Sequence, residues 1–374
     1  MNFTDTFEDI RPFNPDEIEG ALQRIAKHPL LDNIIRFLFP NIPIEGFREQ
    51  FLQLKTTEDF QVVVMDKAIK TILERTSSEL IFSGAENLEH NTNYLFLANH
   101  RDILLDSALL QVLLDRNDMK TSEITFGSNL MKDDLVIDVG RMNKMFRIDR
   151  ESNFREFYRN SIRASQYMRF AITEKHESVW IAQRNGRTKD GNDQTEIGVL
   201  KMLAMGSDSP FVENLTELNI APLSISYEYE PCDFLKTREI YISRRIKYLK
   251  ATNEDLNSIL KGITQWKGRI ELAVAQPVTQ EELIVCAESK DKFKTLSQLI
   301  DWRIYRNYKF WPNNYIAYDL LINTNQYNEY YTEEDSDKFI TYMNDGLKEL
   351  EGDKEELREI FLQIYANPVK NGMR

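Results

Sequence analysis

Short apolar runs alternate with longer amphipathic segments between residues 80 and 274, and this alternation constrains the fold more than any other feature. Seven runs have the length and the β-branched or aromatic content of strands: 80–82, 94–97, 123–126, 146–148, 179–182, 220–227 and 269–274. Helical spacing occupies the stretches 104–114, 153–174, 196–205 and 254–266. Strands that alternate with helices predict an α/β fold, with a mixed, largely parallel central sheet flanked by helices.

Segments with helical spacing also lie on both sides of this region. Residues 14–76 place apolar side chains at intervals of three and four. Beyond residue 280, further helices are predicted at 301–308, 314–321, 336–350 and 354–365. We therefore expect three parts: an N-terminal helical subdomain at 1–78, an α/β domain at 79–278, and a helical C-terminal region at 279–374 packed on it.

The composition is typical of a soluble globular protein. Of the 374 residues, 42% are hydrophobic and 29% are charged, and no run of about 18 apolar residues is present to cross a bilayer. The N-terminal residues are acidic and lack the basic start and apolar stretch of a secretory signal. Cys232 and Cys286 lie far apart, without the spacing of a disulfide framework or a zinc site. We expect a cytoplasmic protein without a bound metal.

The formal net charge of −13 argues against nucleic-acid binding, because a phosphate backbone requires a basic face. Two local groups of basic residues, at 236–250 and 303–309, stand out against this acidic background. Such runs usually form a solvated face, and we interpret both groups in that way.

One histidine lies where an apolar strand ends and a helix begins. His100 follows the run at 94–97 and precedes the helical segment at 104–114, with acids at Asp102 and Asp106. Histidine accepts and returns a proton near neutral pH, and a carboxylate on the next helical turn fixes its tautomer and stabilises its cation. Ligands of parallel sheets bind at the carboxyl ends of strands, which is where His100 falls. The alternatives are a core histidine and, for Asp102, a helix N-cap.

Glycine and basic residues follow the strand at 179–182. Asn185, Gly186, Arg187 and Lys189 combine backbone freedom with fixed positive charge, which suits an anionic ligand and a phosphate in particular. The alternative is an ordinary polar turn between a strand and a helix.

Two further strands carry weaker signals. The strand at 146–148 alternates apolar and charged side chains and is followed by Arg150, a pattern more typical of an edge strand than of a binding site. The strand at 220–227 has Pro222 near its start, where proline is tolerated, and we interpret it as structural.

Taken in order, these four segments resemble the four conserved blocks of the glycerophospholipid acyltransferase family. The resemblance covers about residues 80–230. It implies acyl transfer from acyl-CoA or acyl carrier protein to glycerol 3-phosphate or a lysophospholipid, with no cofactor beyond the acyl donor. The helical segment before the sheet is also similar to that of the soluble plastid-type glycerol-3-phosphate acyltransferases.

The resemblance also assigns roles to residues. His100 is the expected general base for the acceptor hydroxyl, oriented by an aspartate of the same block. The acceptor and its phosphate are expected to contact Phe146, Arg150, Gly186 and Arg187. The acyl chain is expected to contact Pro222.

The first block departs from the family pattern in its spacing. The family places four residues between histidine and aspartate, whereas five residues separate His100 from Asp106 and position 105 is leucine. Either the helix begins one residue later and Asp106 reaches His100, or Asp102 takes that role. We favour Asp106.

The second and third blocks also depart from the pattern. Asn143 occupies the position of the second block's glycine, and the third block's usual Glu-Gly-x-Arg is shortened to Asn185-Gly186-Arg187, unless Gln183 replaces the glutamate. These changes affect the expected acceptor more than the reaction, so an aminolipid or a sugar lipid is an alternative acceptor. A catalytically silent lipid-binding protein is the other alternative. It would be favoured if neither aspartate lay within hydrogen-bonding distance of a His100 ring nitrogen.

A lipid acceptor raises the question of how this protein contacts a membrane. The stretch 302–315 interleaves aromatic side chains with Arg and Lys, which suits a bilayer interface, and apolar residues at 37–47 form a second candidate. Aromatic stripes more often belong to a core, so the sequence leaves open whether the protein is peripheral on the inner face of the membrane.

Overall fold

A central sheet organises the protein, for which a computed structural model describes residues 7–130, 133–149, 154–251 and 254–373. Seven strands of these residues form the sheet: β1 (Ser77–Ser83), β2 (Leu95–Ala98), β3 (Glu123–Gly127), β4 (Met145–Ile148), β5 (Val179–Ala182), β6 (Ile220–Tyr227) and β7 (Gly268–Val274). Their order is β1, β7, β6, β2, β5, β3, β4. Strands β2 to β6 run parallel, whereas β7 pairs antiparallel with β6 and parallel with β1. The predicted mixed, largely parallel sheet is confirmed.

Helices cover both faces of the sheet and extend beyond it. In the described residues they are α1 (Ile18–Lys27), α2 (Leu31–Leu38), α3 (Ile44–Phe51), α4 (Thr57–Asp59), α5 (Asp66–Thr76), α6 (Leu105–Arg116), α7 (Asp134–Met142), α8 (Phe154–Thr173), α9 (Ile197–Ala204), α10 (Phe211–Thr216), α11 (Asp233–Ser243), α12 (Glu254–Thr264), α13 (Gln280–Glu288), α14 (Lys292–Arg306), α15 (Pro312–Ile322), α16 (Glu333–Lys348) and α17 (Lys354–Gly372). A π-helical turn at Phe60–Met65 precedes α5. Within the described ranges, no helix combines the length and the apolar character needed to cross a membrane.

Strand alternation divides the sheet's apolar side chains between two cores. Phe96 and Ala98 of β2 pack on the face covered by α5 and α6. Leu95 and Leu97 pack on the opposite face, against α8, α9 and α14. Because α6 lies over the middle of the sheet, all its residues from 105 to 114 are buried, and its first turn lies close to the carboxyl end of β2.

Two further cores lie in the helical parts of the chain. Helices α1, α2 and α3 enclose one with α7, and α15, α16 and α17 enclose the other. Ile69 and Ile72 of α5, however, belong to the core of the sheet. The N-terminal helices therefore connect to the sheet through a shared core, and the division into three domains stays a prediction.

The aromatic segment at 302–315 is divided between buried and accessible side chains. Trp302 is half exposed, but Ile304, Tyr308 and Trp311 are buried. In the second candidate segment, Phe37 is partly exposed, whereas Phe39 and Phe47 are buried in the N-terminal core. Helical packing thus buries part of the aromatic side chains in each candidate, and membrane contact by either segment stays a prediction.

The C-terminal helix α17 packs against the loop that follows β5 and holds it in position. Gly191 of this loop has φ +73°, and an added Cβ would lie 2.0 Å from the backbone oxygen of Ile364. Next to it, the Asn367 side chain donates to the carbonyl of Asp190 at 2.7 Å. The loop is therefore held by direct backbone contact with α17.

Replacing Gly191 by alanine tests this contact. Gly186 of the same loop has φ +78° but nothing within 4 Å of an added Cβ, so it is a matched control. We expect Gly186→Ala to lower the free energy of unfolding by about 1 kcal/mol through backbone strain alone. Gly191→Ala adds a clash with α17 and is expected to cost about 3 kcal/mol or more. Equal losses in urea denaturation of the two variants would contradict the packing of α17 on this loop.

Candidate active site

His100 and Asp106 form a hydrogen-bonded pair at the carboxyl end of β2. The His100 Nδ1 atom lies 2.8 Å from Asp106 Oδ2, and the side chains are 14% and 1% exposed respectively. The imidazole packs edge-on against Trp180 of the neighbouring strand β5, with ring centroids 5.3 Å apart. One edge of the imidazole is thus fixed by an acid while the ring itself stays partly accessible to solvent.

The Asp106 carboxylate accepts hydrogen bonds from several elements. Its Oδ2 atom accepts from the backbone N–H groups of Arg101 and Asp102, and its Oδ1 atom accepts from the Tyr227 hydroxyl of β6 at 2.7 Å. Burial and the negative charge of Asp106 raise the pKa of Tyr227, so the phenol keeps its proton and donates it. Since Asp106 is an acceptor towards all these groups, Nδ1 of His100 is the donor in the pair, and in the neutral form of the ring Nε2 carries the lone pair.

Asp102 caps α6. Its Oδ1 atom accepts from the backbone N–H groups of Leu104 and Leu105 at 2.9 and 2.8 Å. The helix begins at Leu105, so Asp106 is its second residue and points back to His100. The capped turn before the helix accommodates the extra residue between histidine and aspartate. Asp106, and not Asp102, therefore contacts His100.

The loop after β5 is tied to the histidine segment. The Thr188 N–H donates to the carbonyl of His100 at 2.7 Å. Asn185 is exposed and donates its backbone N–H to Glu196, and the space beside Gly186 is open. Arg187 is partly buried, and its Nη1 atom has no hydrogen-bond partner among the described residues. The loop thus combines open space with a guanidinium group whose hydrogen-bonding capacity is incompletely used.

Positive charge is concentrated next to this loop. Burial, together with the charges of Lys250 and Arg187, lowers the pKa of Lys189 to about 8, even though its ammonium group also contacts Glu239. A lysine with a lowered pKa in the company of other cations indicates a local excess of positive charge. An anion bound here would be attracted by Lys189, Arg187 and Lys250 together.

A network of buried charged side chains holds the loops around the site together. The Arg101 guanidinium is 1% exposed and donates to the carboxylates of Asp193 and Glu230. Lys236 of α11 donates to Glu230 and, at 2.9 Å, to the carbonyl of Arg101. Burial opposes the charge of Arg101, but the Asp193 and Glu230 carboxylates raise its pKa. The network joins the loops after β2 and β5 to the start of α11.

Sequence reasoning missed this network and Tyr227. The only local signal is that Arg101 directly follows His100, and its partners lie 92 and 129 residues further along the chain. Tyr227 lies in a strand that the sequence predicts, but its contact with Asp106 spans 121 residues. Such pairings depend on the order of strands in the sheet, which local patterns do not specify.

Two predicted site residues are buried in the sheet, and one lies outside the described residues. Phe146 is fully buried and packs against Tyr167 with ring centroids 4.8 Å apart, so it belongs to the core. Pro222 is buried at the third position of β6, paired with Leu97 of β2, well before the strand's carboxyl end. Both side chains therefore belong to the packed interior around the sheet, and their contact with a substrate stays a prediction. Arg150 falls outside the described residues, and its role stays a prediction.

Part of the chain also matches a known protein family. Residues 79–205 match the protein-family model described as Acyltransferase. This part of the chain is therefore similar to acyltransferases, and the match supports the family resemblance found in the sequence. It contains His100, Asp106, Gly186 and Arg187.

The chain is also similar to solved structures. One of them is the 1-acyl-sn-glycerophosphate (LPA) acyltransferase PlsC from Thermotoga maritima, which is 14% identical to this chain with a TM-score of 0.38. The alignment covers 78% of this chain and 93% of that one. A search of curated proteins gives no match.

Removing the Tyr227 hydroxyl tests the hydrogen-bond set of Asp106. Tyr227→Phe deprives a buried carboxylate of a donor, and we expect a loss of about 2 kcal/mol in the free energy of unfolding and about tenfold in kcat for acyl transfer. Tyr94→Phe is the matched control, because Tyr94 is equally buried but its hydroxyl accepts from the Glu89 N–H at the amino end of β2. Unchanged kcat in Tyr227→Phe would refute a role for this contact in catalysis.

Proposed function

We propose that the protein transfers a fatty acyl group from acyl-CoA or acyl carrier protein to a hydroxyl of glycerol 3-phosphate or a lysophospholipid. The observation that carries the proposal is the His100–Asp106 pair in the part of the chain that matches the acyltransferase model, next to the cations Arg187 and Lys189 of the loop after β5. The acyl donor is a co-substrate, and no other cofactor is needed.

The proposed reaction uses His100 as a general base. Its Nε2 atom accepts the proton of the acceptor hydroxyl as that oxygen attacks the thioester carbonyl. Asp106, bound to Nδ1, holds the ring in the required tautomer and stabilises the imidazolium. Collapse of the tetrahedral intermediate then breaks the C–S bond, and the departing thiolate takes the proton from the imidazolium. No covalent intermediate with the protein forms.

The proposed acceptor site uses the loop after β5. Arg187 and Lys189 attract the phosphate of the acceptor, and the open space at Gly186 allows close approach to the backbone. Asn185 lies where the family pattern has a different residue, and this difference favours an aminolipid or a sugar lipid as the alternative acceptor. The protein is proposed to act at the cytoplasmic face of a membrane.

The geometry of the pair supports an active enzyme over a catalytically silent one. A silent protein of the same fold has no need to keep a carboxylate within hydrogen-bonding distance of the histidine. Here that distance is 2.8 Å, and further hydrogen-bond donors hold the carboxylate in place. The inserted residue therefore does not disrupt the pair.

Substitution of His100 tests the proposed function. We expect His100→Gln, which keeps a donor towards Asp106, to lower kcat about a thousandfold because the general base is lost. His90→Ala, at an exposed histidine before β2, is the control and keeps full activity. Acyl transfer is measured with acyl-CoA and acyl carrier protein donors against glycerol 3-phosphate, lysophosphatidate and lyso-aminolipids. Retained turnover in a folded His100→Gln variant, verified by circular dichroism, would overturn the assignment.

Lys189 gives the proposed acceptor site a pH dependence. Its pKa of about 8 means that the free enzyme carries this positive charge below pH 8 and loses it as the pH rises through that value. We expect the KM of an anionic acceptor to increase between pH 7 and pH 9, while the KM of the acyl donor changes less. In Lys189→Arg, whose guanidinium stays charged, the increase should disappear. An acceptor KM with the same pH profile in both proteins would remove Lys189 from the acceptor site.

A further inference from the structure

The chain between α11 and the end of α12 exposes four large aliphatic side chains. Ile246 and Leu249 are 66% and 77% exposed, and Leu256 and Leu260 of α12 are each 49% exposed. Leu256 and Leu260 are four residues apart and therefore lie on one side of the helix. We call these four side chains the aliphatic face.

The opposite side of α12 packs directly on the candidate active site. An added Cβ at Gly262 would lie 2.3 Å from Asp102 Oδ2, so the helix touches the residue that caps α6. The Ser258 carbonyl accepts from the Cys232 thiol at 3.4 Å, and Asp255 accepts from Asn129, which follows β3, at 3.0 Å. Helix α12 is thus a wall of the site whose outer side carries leucines.

The aliphatic face lies in a basic part of an acidic protein. Residues 235–261 contain seven Lys or Arg and three Asp or Glu, a net charge of +4 that includes the buried Lys236, whereas the whole chain carries −13. Arg244 and Arg245 contact Glu356 of α17, and Lys250 contacts Asp255. Other cations of the segment are exposed: Arg238, Lys247 and Lys261. The sequence alone suggests that the basic group at 236–250 is a solvated face. Its position around exposed aliphatic side chains instead favours a binding surface.

We propose that the aliphatic face and its surrounding cations dock this protein on an anionic lipid bilayer, with the active site next to the membrane surface. Aliphatic side chains enter the boundary between headgroups and acyl chains, and Lys and Arg are attracted by anionic headgroups. Docking by α12 places the site beside the surface from which a lipid acceptor is taken. The choice of a bilayer as partner rests on the proposed lipid acyltransferase function. An acidic acyl carrier protein is the competing partner, but four exposed aliphatic side chains match hydrocarbon better than a charged protein surface.

Vesicle binding tests the docking surface in the full-length protein. The vesicles are equimolar phosphatidylglycerol and phosphatidylcholine, with pure phosphatidylcholine for comparison, and bound protein is measured by sedimentation. We expect the Ile246→Ser and Leu249→Ser double variant to weaken binding to the anionic vesicles at least about tenfold. Lys247→Glu should weaken it several-fold and reduce its salt dependence.

A second double variant provides the matched control. Ile284→Ser with Val285→Ser removes two aliphatic side chains of α13 that are 42% and 64% exposed and should leave vesicle binding unchanged. Equal binding by the Ile246/Leu249 variant and the wild type, or no binding of the wild type to anionic vesicles, overturns the proposal. Unchanged vesicle binding with weakened binding of acyl carrier protein also overturns it, in favour of the carrier protein.

A parallel assay separates this proposal from the proposed function. With glycerol 3-phosphate and a short-chain acyl-CoA, both of which are water-soluble, the Ile246/Leu249 variant should turn over as the wild type does. If no substrate is acylated by any form of the protein but vesicle binding depends on Ile246 and Leu249, the docking surface stands and the enzymatic function fails. If the variant loses turnover of the soluble substrates along with vesicle binding, its defect is not confined to the membrane and the docking proposal is overturned.

Discussion

The hydrogen bonds to the Asp106 carboxylate are the contacts on which the candidate site depends. They come from the ring of His100, from two backbone N–H groups of the turn before α6, and from the Tyr227 hydroxyl of β6. A buried carboxylate requires such donors, because an unpaired charge in the interior is strongly unfavourable. Satisfying this one side chain therefore fixes the position of the helix relative to two strands, and with it the orientation of the imidazole.

A second buried charge, that of Arg101, extends the same principle to the surrounding loops. Its carboxylate partners belong to the loop after β5 and to the turn before α11, so a single guanidinium holds together segments that are distant in sequence. The ring of Tyr308 lies beneath it, 5.4 Å away. The C-terminal helices close this arrangement from outside, since Tyr365 of α17 donates to Asp233 of α11. The loop after β5 is thus supported on the side that faces the protein and has open space beside Gly186.

Local sequence patterns predict the sheet well because each strand is a short apolar run bounded by turns. They miss α11 because its buried side chains include Asp233, Lys236 and Thr237, which give no apolar periodicity. They identify His100 and Asp106, which fall within one strand-to-helix segment. They do not reveal Asp193, Glu230 or Tyr227 as partners, because those contacts arise only when distant strands and loops come together.

Local patterns also do not specify which side of the sheet a predicted site residue faces. A family resemblance assigns Phe146 and Pro222 to substrate contacts, but burial places the phenylalanine in the core and the proline within β6. Whether a side chain near a site faces the ligand or the interior depends on the face of the sheet and the helices packed on it. The same limit applies to the stretch 302–315, where packing buries Tyr308 and Trp311 despite a composition that suits a membrane interface.

The protonation state of His100 is the most direct test of this account. Nitrogen-15 NMR of histidine-labelled protein reports which ring nitrogen carries the proton, and the signal of His100 is assigned among four histidines by its absence in a His100 variant. For the neutral form of the ring, the account predicts the proton on Nδ1 and a bare Nε2, and a change in this tautomer preference when Asp106 is replaced by asparagine. A ring that carries its proton on Nε2, or that is indifferent to the loss of Asp106, would contradict the assignment of His100 as the base.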